Sequence, residues 1–132
     1  MCKVLLKFFR GKIFDMEKYN LKHYAHIGDA VWELFIREYA IDIVNTQKAL
    51  HNTTIKYVNA NFQAEILEKL ELTEDEKELT KRGRNLPLSI GKKNNQAIHH
   101  FATAFEVLIG YLYLNDKKRL EEIFEFIKKE AL

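Results

Sequence analysis

The 132-residue chain is poor in residues that cross-link or punctuate a fold. Its one cysteine, Cys2, lies at the start of the sequence. No disulfide can close within the chain and no cysteine cluster can hold zinc, which fits a reducing compartment. One proline and five glycines are too few for a β protein with a turn after every short strand. Repeats and low-complexity tracts are absent. The opening residues 1–14 carry short apolar runs broken by Lys7 and Arg10, too short for a secretory core or a bilayer span. The expectation is a cytoplasmic protein without membrane attachment. Acid is missing from residues 81–100, which hold Lys81, Arg82, Arg84, Lys92, Lys93, His99 and His100. Such a stretch is either a phosphate-facing surface or a solvated charged loop. The net charge of +2 does not choose between them.

What is present points to helices. Apolar residues are 47% and charged residues 30% of the chain, a globular balance. Leu21, Tyr24, Ile27, Val31, Leu34 and Phe35 recur at spacings of three and four, as on one side of a helix. Ile55, Val58, Phe62, Ile66, Leu67 and Leu70 repeat the pattern, with Thr53 or Thr54 as the expected N-cap. Thr73 and Glu76 have capping-box spacing, and Gly83 reads as the stop of a short helix. Residues 84–95 lack periodicity and contain Pro87 and Gly91, the mark of a functional loop. Residues 96–114 are apolar on most sides and should form the central helix. Asp116 is placed to cap a last helix bearing Leu120, Ile123, Phe124 and Ile127. The reading is an all-α bundle of six or seven helices. It is one domain over 1–132, with 1–16 as a loosely ordered N-terminal extension.

Two carboxylates are oddly placed. Asp29 lies in Ile27-Gly28-Asp29-Ala30-Val31, and Glu106 in Ala102-Thr103-Ala104-Phe105-Glu106-Val107-Leu108. An acid among apolar neighbours reads as buried, and a buried acid needs a cation partner or a metal ion. Two acids on two helices suit Mg²⁺, which one or two carboxylates hold together with water and phosphate. Pairing with Arg or Lys explains them equally well. Gly28 and Gly110 interrupt helical pattern at a cost of about 1 kcal/mol each relative to Ala, which fits close helix packing or a site.

The run His26-Ile27-Gly28-Asp29-Ala30-Val31, followed downstream by Ala102-Thr103-Ala104-Phe105-Glu106-Val107-Leu108-Ile109-Gly110-Tyr111-Leu112, resembles the catalytic domain of ribonuclease III. Lys81-Arg82-Gly83-Arg84-Asn85 and the lack of a double-stranded RNA-binding domain resemble its short subgroup, mini-ribonuclease III. The resemblance covers residues 21–114. It implies a homodimeric, all-α endonuclease domain that binds Mg²⁺, with Mn²⁺ as a substitute. Asp29 and Glu106 would be its catalytic, metal-binding residues. It also implies cleavage of double-stranded RNA to 5′-phosphate and 3′-hydroxyl ends, in maturation of precursor 23S ribosomal RNA. Two further acids of the full-length family fall at Ala25 and Thr103, and another at Lys22, so part of the family's acidic set is missing here. Thr103 still offers a hydroxyl as an outer-shell group. Glu33, one turn beyond Asp29, either supports the site or pairs with Arg37. Arg82, Arg84, Lys92 and Lys93 are the expected RNA contacts. His26 reads as a packing residue, His99 and His100 as packed or surface histidines, and Tyr111 and Tyr113 as core or dimer-interface residues rather than base-stacking ones. The missing acids keep a rival reading alive, a non-catalytic RNA-binding or ribosome-associated scaffold with the same fold.

Overall fold

A computed structural model describes residues 20–88 and 96–132. These residues form six helices: α1 (Leu21–Ile43), α2 (Gln47–Val58), α3 (Ala60–Lys69), α4 (Glu74–Arg84), α5 (Gln96–Asn115) and α6 (Lys117–Glu130). The extension 1–16, Gly91, Lys92 and Lys93 lie outside the described residues.

Side-chain caps set the helix boundaries. Asn20 accepts from the His23 N–H at 3.1 Å to open α1, and Thr46 accepts from Ala49 N–H at 3.1 Å to open α2. The expected cap at Thr53 or Thr54 is not there: both residues lie inside α2, where the Thr54 hydroxyl donates to the Leu50 carbonyl. The apolar period continues unbroken through residues 55–70, but the helix does not. Asn59 adopts an extended backbone and joins two helix ends. Its amide nitrogen donates to the carbonyls of Ile55 and Lys56, and its oxygen accepts from Phe62 N–H at 2.9 Å. One side chain thus satisfies both the orphaned acceptors of α2 and an orphaned donor of α3.

The capping box at Thr73 and Glu76 forms as its spacing predicts. Glu76 also accepts two bonds from Arg119 of α6, Nε at 2.8 Å and Nη2 at 2.9 Å. Nη2 donates as well to the Glu71 carbonyl. Burial pushes the Glu76 carboxyl up, yet the guanidinium and the Thr73 N–H outweigh it and hold the carboxyl below its ordinary value. The same pairing raises Arg119. Asp116 caps α6 by accepting from Arg119 N–H.

Helix α5 is the hub, packing against α1, α3, α4 and α6. Its length and apolarity would also suit a membrane crossing, but burial of Ala102, Phe105, Leu108, Ile109 and Leu112 among the other helices accounts for that composition. Trp32 of α1 is fully buried and touches the rings of Phe35, Phe62, Phe105 and Phe124. Its indole N–H donates to the Tyr57 carbonyl at 2.9 Å, so the one polar atom of the largest core side chain is satisfied. Full burial of a side chain such as Phe105 contributes on the order of 1.5–3 kcal/mol. Ile27 and Val31 are only half-buried and Leu34 is exposed. The buried face of α1 therefore runs through Tyr24, Gly28, Trp32, Phe35, Ile36 and Ala40, rotated from the apolar stripe.

Candidate active site

Gly28 and Gly110 create the site's frame. A Cβ on Gly28 would overlap the Glu106 carbonyl oxygen, lying 2.7 Å from its carbon and 2.9 Å from Gly110 N. A Cβ on Gly110 would overlap the Tyr24 carbonyl oxygen and lie 2.9 Å from Gly28 N. Backbone therefore rests on backbone at this crossing, which only glycine permits. Gly28 meets the Glu106–Gly110 turn, whereas Gly110 meets the Tyr24–Gly28 turn, so α1 and α5 run antiparallel here. Asp29 follows Gly28 directly, beside the backbone of Glu106. Edge-on contact of Tyr24 with Tyr111, centroids 5.3 Å apart, packs the next turn.

The crossing also corrects the expectation that Asp29 is buried. Successive helix residues point about 100° apart. Gly28 takes the core-facing position and Asp29 is left exposed. Glu106 and Thr103 are half-buried, as is Ala25 where the longer family has an acid. Among the described residues no group of three or more His, Cys, Asp or Glu gathers to hold a metal ion. The oxygen donors on offer are two carboxylates from two helices, with the Thr103 hydroxyl one turn away. That set fits a hard, strongly hydrated divalent cation which takes few protein ligands.

Glu33 bonds to Arg37, with Nη2 to Oε2 at 2.7 Å. Pairing is the alternative its spacing left open. His26 is exposed, contrary to a packing role, because α1 turns that position away from its partners. His99 and His100 are half-buried on α5. Tyr113 is exposed beneath the Lys117 ammonium.

Arg82 and Arg84 are exposed at the last turn of α4. Gly83 between them is not a helix stop, since α4 runs through it to Arg84 and ends at Asn85. It is buried, and a Cβ there would lie 3.0 Å from the Ala104 Cα and 3.3 Å from the Val107 side chain. The absent side chain lets α4 lie against α5 two residues from Glu106. The basic pair thus flanks a glycine that rests on the helix bearing Glu106. No periodicity in the sequence signalled this contact. The Arg84 guanidinium also lies over the ring of Phe101, 5.4 Å from its centroid, another pairing that sequence reading missed.

Comparison with known proteins agrees with this frame. Residues 22–117 match the family model of the ribonuclease III domain. A mini-ribonuclease 3 of Clostridium tetani is 40% identical, the match covering 92% of this chain and 86% of the relative. That of Enterococcus faecalis is 36% identical over 89% and 94% of the two chains. A crystal structure of a Fusobacterium nucleatum protein superposes with a TM-score of 0.79 at 30% identity, covering 89% of this chain and 98% of the other. Fold and domain match define a ribonuclease III-type endoribonuclease. Near full-length identity to relatives of that one kind places the chain in the mini-ribonuclease 3 family.

Proposed function

We propose that the chain cleaves double-stranded RNA in a divalent-metal-dependent reaction, leaving 5′-phosphate and 3′-hydroxyl ends. The observation that carries this reading is the Gly28–Gly110 crossing, which fixes the turn bearing Asp29 against the turn bearing Glu106. Asp29 and Glu106 would hold the ion, Mg²⁺ with Mn²⁺ as a substitute. When bound, such an ion supplies Lewis acidity at the phosphoryl group and an activated water near neutral pH. Exposed Asp29 meets the phosphate from the solvent side, while half-buried Glu106 is fixed by its helix at the core edge. Thr103 offers an outer-shell hydroxyl, and Glu33 restrains Arg37 rather than supporting the ion.

Arg82 and Arg84 grip the phosphate backbone, joined by Lys92 and Lys93. Duplex RNA presents mainly shape, phosphates and 2′-hydroxyls, so sequence preference should be weak. One site reaches one strand; a homodimer supplies the second. Leu34 and Ile41, 57% and 65% exposed on α1, support an apolar contribution to that interface from residues 27–39 and just beyond. The natural substrate proposed is precursor 23S ribosomal RNA in the cytoplasm.

Purified protein on an RNA duplex, with Mg²⁺ and then with chelator, tests the reaction. Asp29→Asn keeps size and exposure and should abolish cleavage while the fold persists. An RNA-binding scaffold would cut under neither condition, and that result would refute the proposal.

A further inference from the structure

We propose that Phe101 is a positioning residue for RNA, its ring holding Arg84 in the pose that meets phosphate. The inference rests on the RNA-cleaving function proposed above. Phe101 is the first large apolar residue of α5 left in solvent, 38% exposed, next to the exposed end of α4. An aromatic ring in that place is usually explained by burial or by stacking on a base. Burial is incomplete, and a duplex keeps its bases stacked inside, out of reach of a surface ring. The contact that exists is with Arg84, whose guanidinium carbon lies over the ring face.

Three features make that contact a device for presentation. Gly83 locks the backbone of α4 onto Ala104 and Val107, so the Arg84 Cα is fixed relative to Phe101. The guanidinium is planar and weakly hydrated, so it can rest on a ring with its N–H edge still directed to solvent. No Asp or Glu occurs in residues 81–100, so the stretch that bears Arg84 brings no carboxylate of its own to that edge. A long arginine side chain otherwise loses about 1.5–2 kcal/mol of rotamer freedom when it is fixed on a ligand. A ring that restricts it beforehand lowers that loss. Phe101 thus acts on RNA through Arg84 without touching the reacting atoms.

The test is a double-mutant cycle of Phe101→Leu and Arg84→Ala, read by duplex-RNA affinity in chelator and by cleavage kinetics in Mg²⁺. Leucine keeps an apolar, helix-compatible residue and removes the ring. Phe101→Leu should weaken binding about two- to five-fold, the range of an exposed cation–π contact. KM should rise by a similar factor with kcat unchanged. Phe101→Tyr should restore both. In the Arg84→Ala background, Phe101→Leu should have no further effect. An equal loss in both backgrounds, or no loss from Phe101→Leu in the parent, overturns the inference while leaving the nuclease reading intact. If the parent protein neither binds nor cuts duplex RNA, the underlying reading fails instead.

Discussion

Replacing Gly28 by alanine sets two physical effects against each other. Helix propensity alone favours alanine by about 1 kcal/mol in a helix interior. The crossing opposes it, because the new Cβ would lie 2.7 Å from the Glu106 carbonyl carbon and 2.9 Å from Gly110 N. Both neighbours are backbone and cannot rotate away. Relieving the overlap requires α1 and α5 to part by something on the order of 1 Å in a core that is otherwise close-packed. Overpacking of this kind costs about 1–3 kcal/mol, occasionally more. Backbone meeting backbone belongs at the upper end, so the variant should be about 1–2 kcal/mol less stable despite the propensity gain. Activity should suffer more. Asp29 and Glu106 ride on the two helices being parted, and misplacing reacting groups by about 1 Å can cost about 100-fold in rate. Urea unfolding read by circular dichroism gives the stability, and single-turnover duplex cleavage gives the rate. A Gly28→Ala protein that gains the full propensity term and cleaves at the parent rate would show that the crossing neither limits packing nor sets the site. Gly83→Ala is the graded comparison, with a smaller stability loss because the nearest atom to the new Cβ, the Ala104 Cα, lies at 3.0 Å and does not overlap it.

Arg119→Met should destabilise the bundle by roughly 2–3 kcal/mol at neutral pH, the range for lost hydrogen bonds to a charged group, measured by urea midpoint. The Glu76 carboxyl is held below its ordinary value of 4.5. Its contribution is therefore present above that pH and lost as acidification titrates the folded carboxyl, so the parent's acid-side decline in stability should flatten in the variant. Replacing both Arg82 and Arg84 by alanine should lower stability only by the ~0.5–1 kcal/mol of the exposed Arg84–Phe101 contact and reduce the slope of log affinity against log salt by about one unit per lost phosphate contact. An unchanged slope would remove these residues from the RNA interface. Leu34→Glu with Ile41→Glu should yield a folded monomer by sedimentation, with duplex cleavage strongly reduced; a dimer of full activity would move the subunit interface elsewhere.

The local chemistry of the chain was legible in its sequence. The capping box at Thr73, the cap at Asp116, the central helix over 96–114 and the absence of β structure among the described residues follow from short-range preferences that tertiary contacts did not override. The resemblance to ribonuclease III was legible too, because two short motifs carry it. The split at Asn59 was not. An apolar period measures which face is buried, and two helices in line can share one face while an asparagine side chain closes the ends of both. Asp29 was read as buried because its neighbours in sequence are apolar. Burial, however, depends on which side of the helix meets a partner, and that side passes through Gly28. Close packing at Gly28 and Gly110 was one of the two readings their helical context offered. Which backbone each meets, and that Gly83 meets one rather than stopping a helix, lay beyond sequence reasoning, since an absent side chain acquires its partner only when the chain folds. Composition and spacing therefore determined that the chain forms helices and which acids it carries. Only the antiparallel crossing of α1 and α5 decided that Asp29 and Glu106 belong to neighbouring turns, because contact between residues this far apart in sequence is a property of packing.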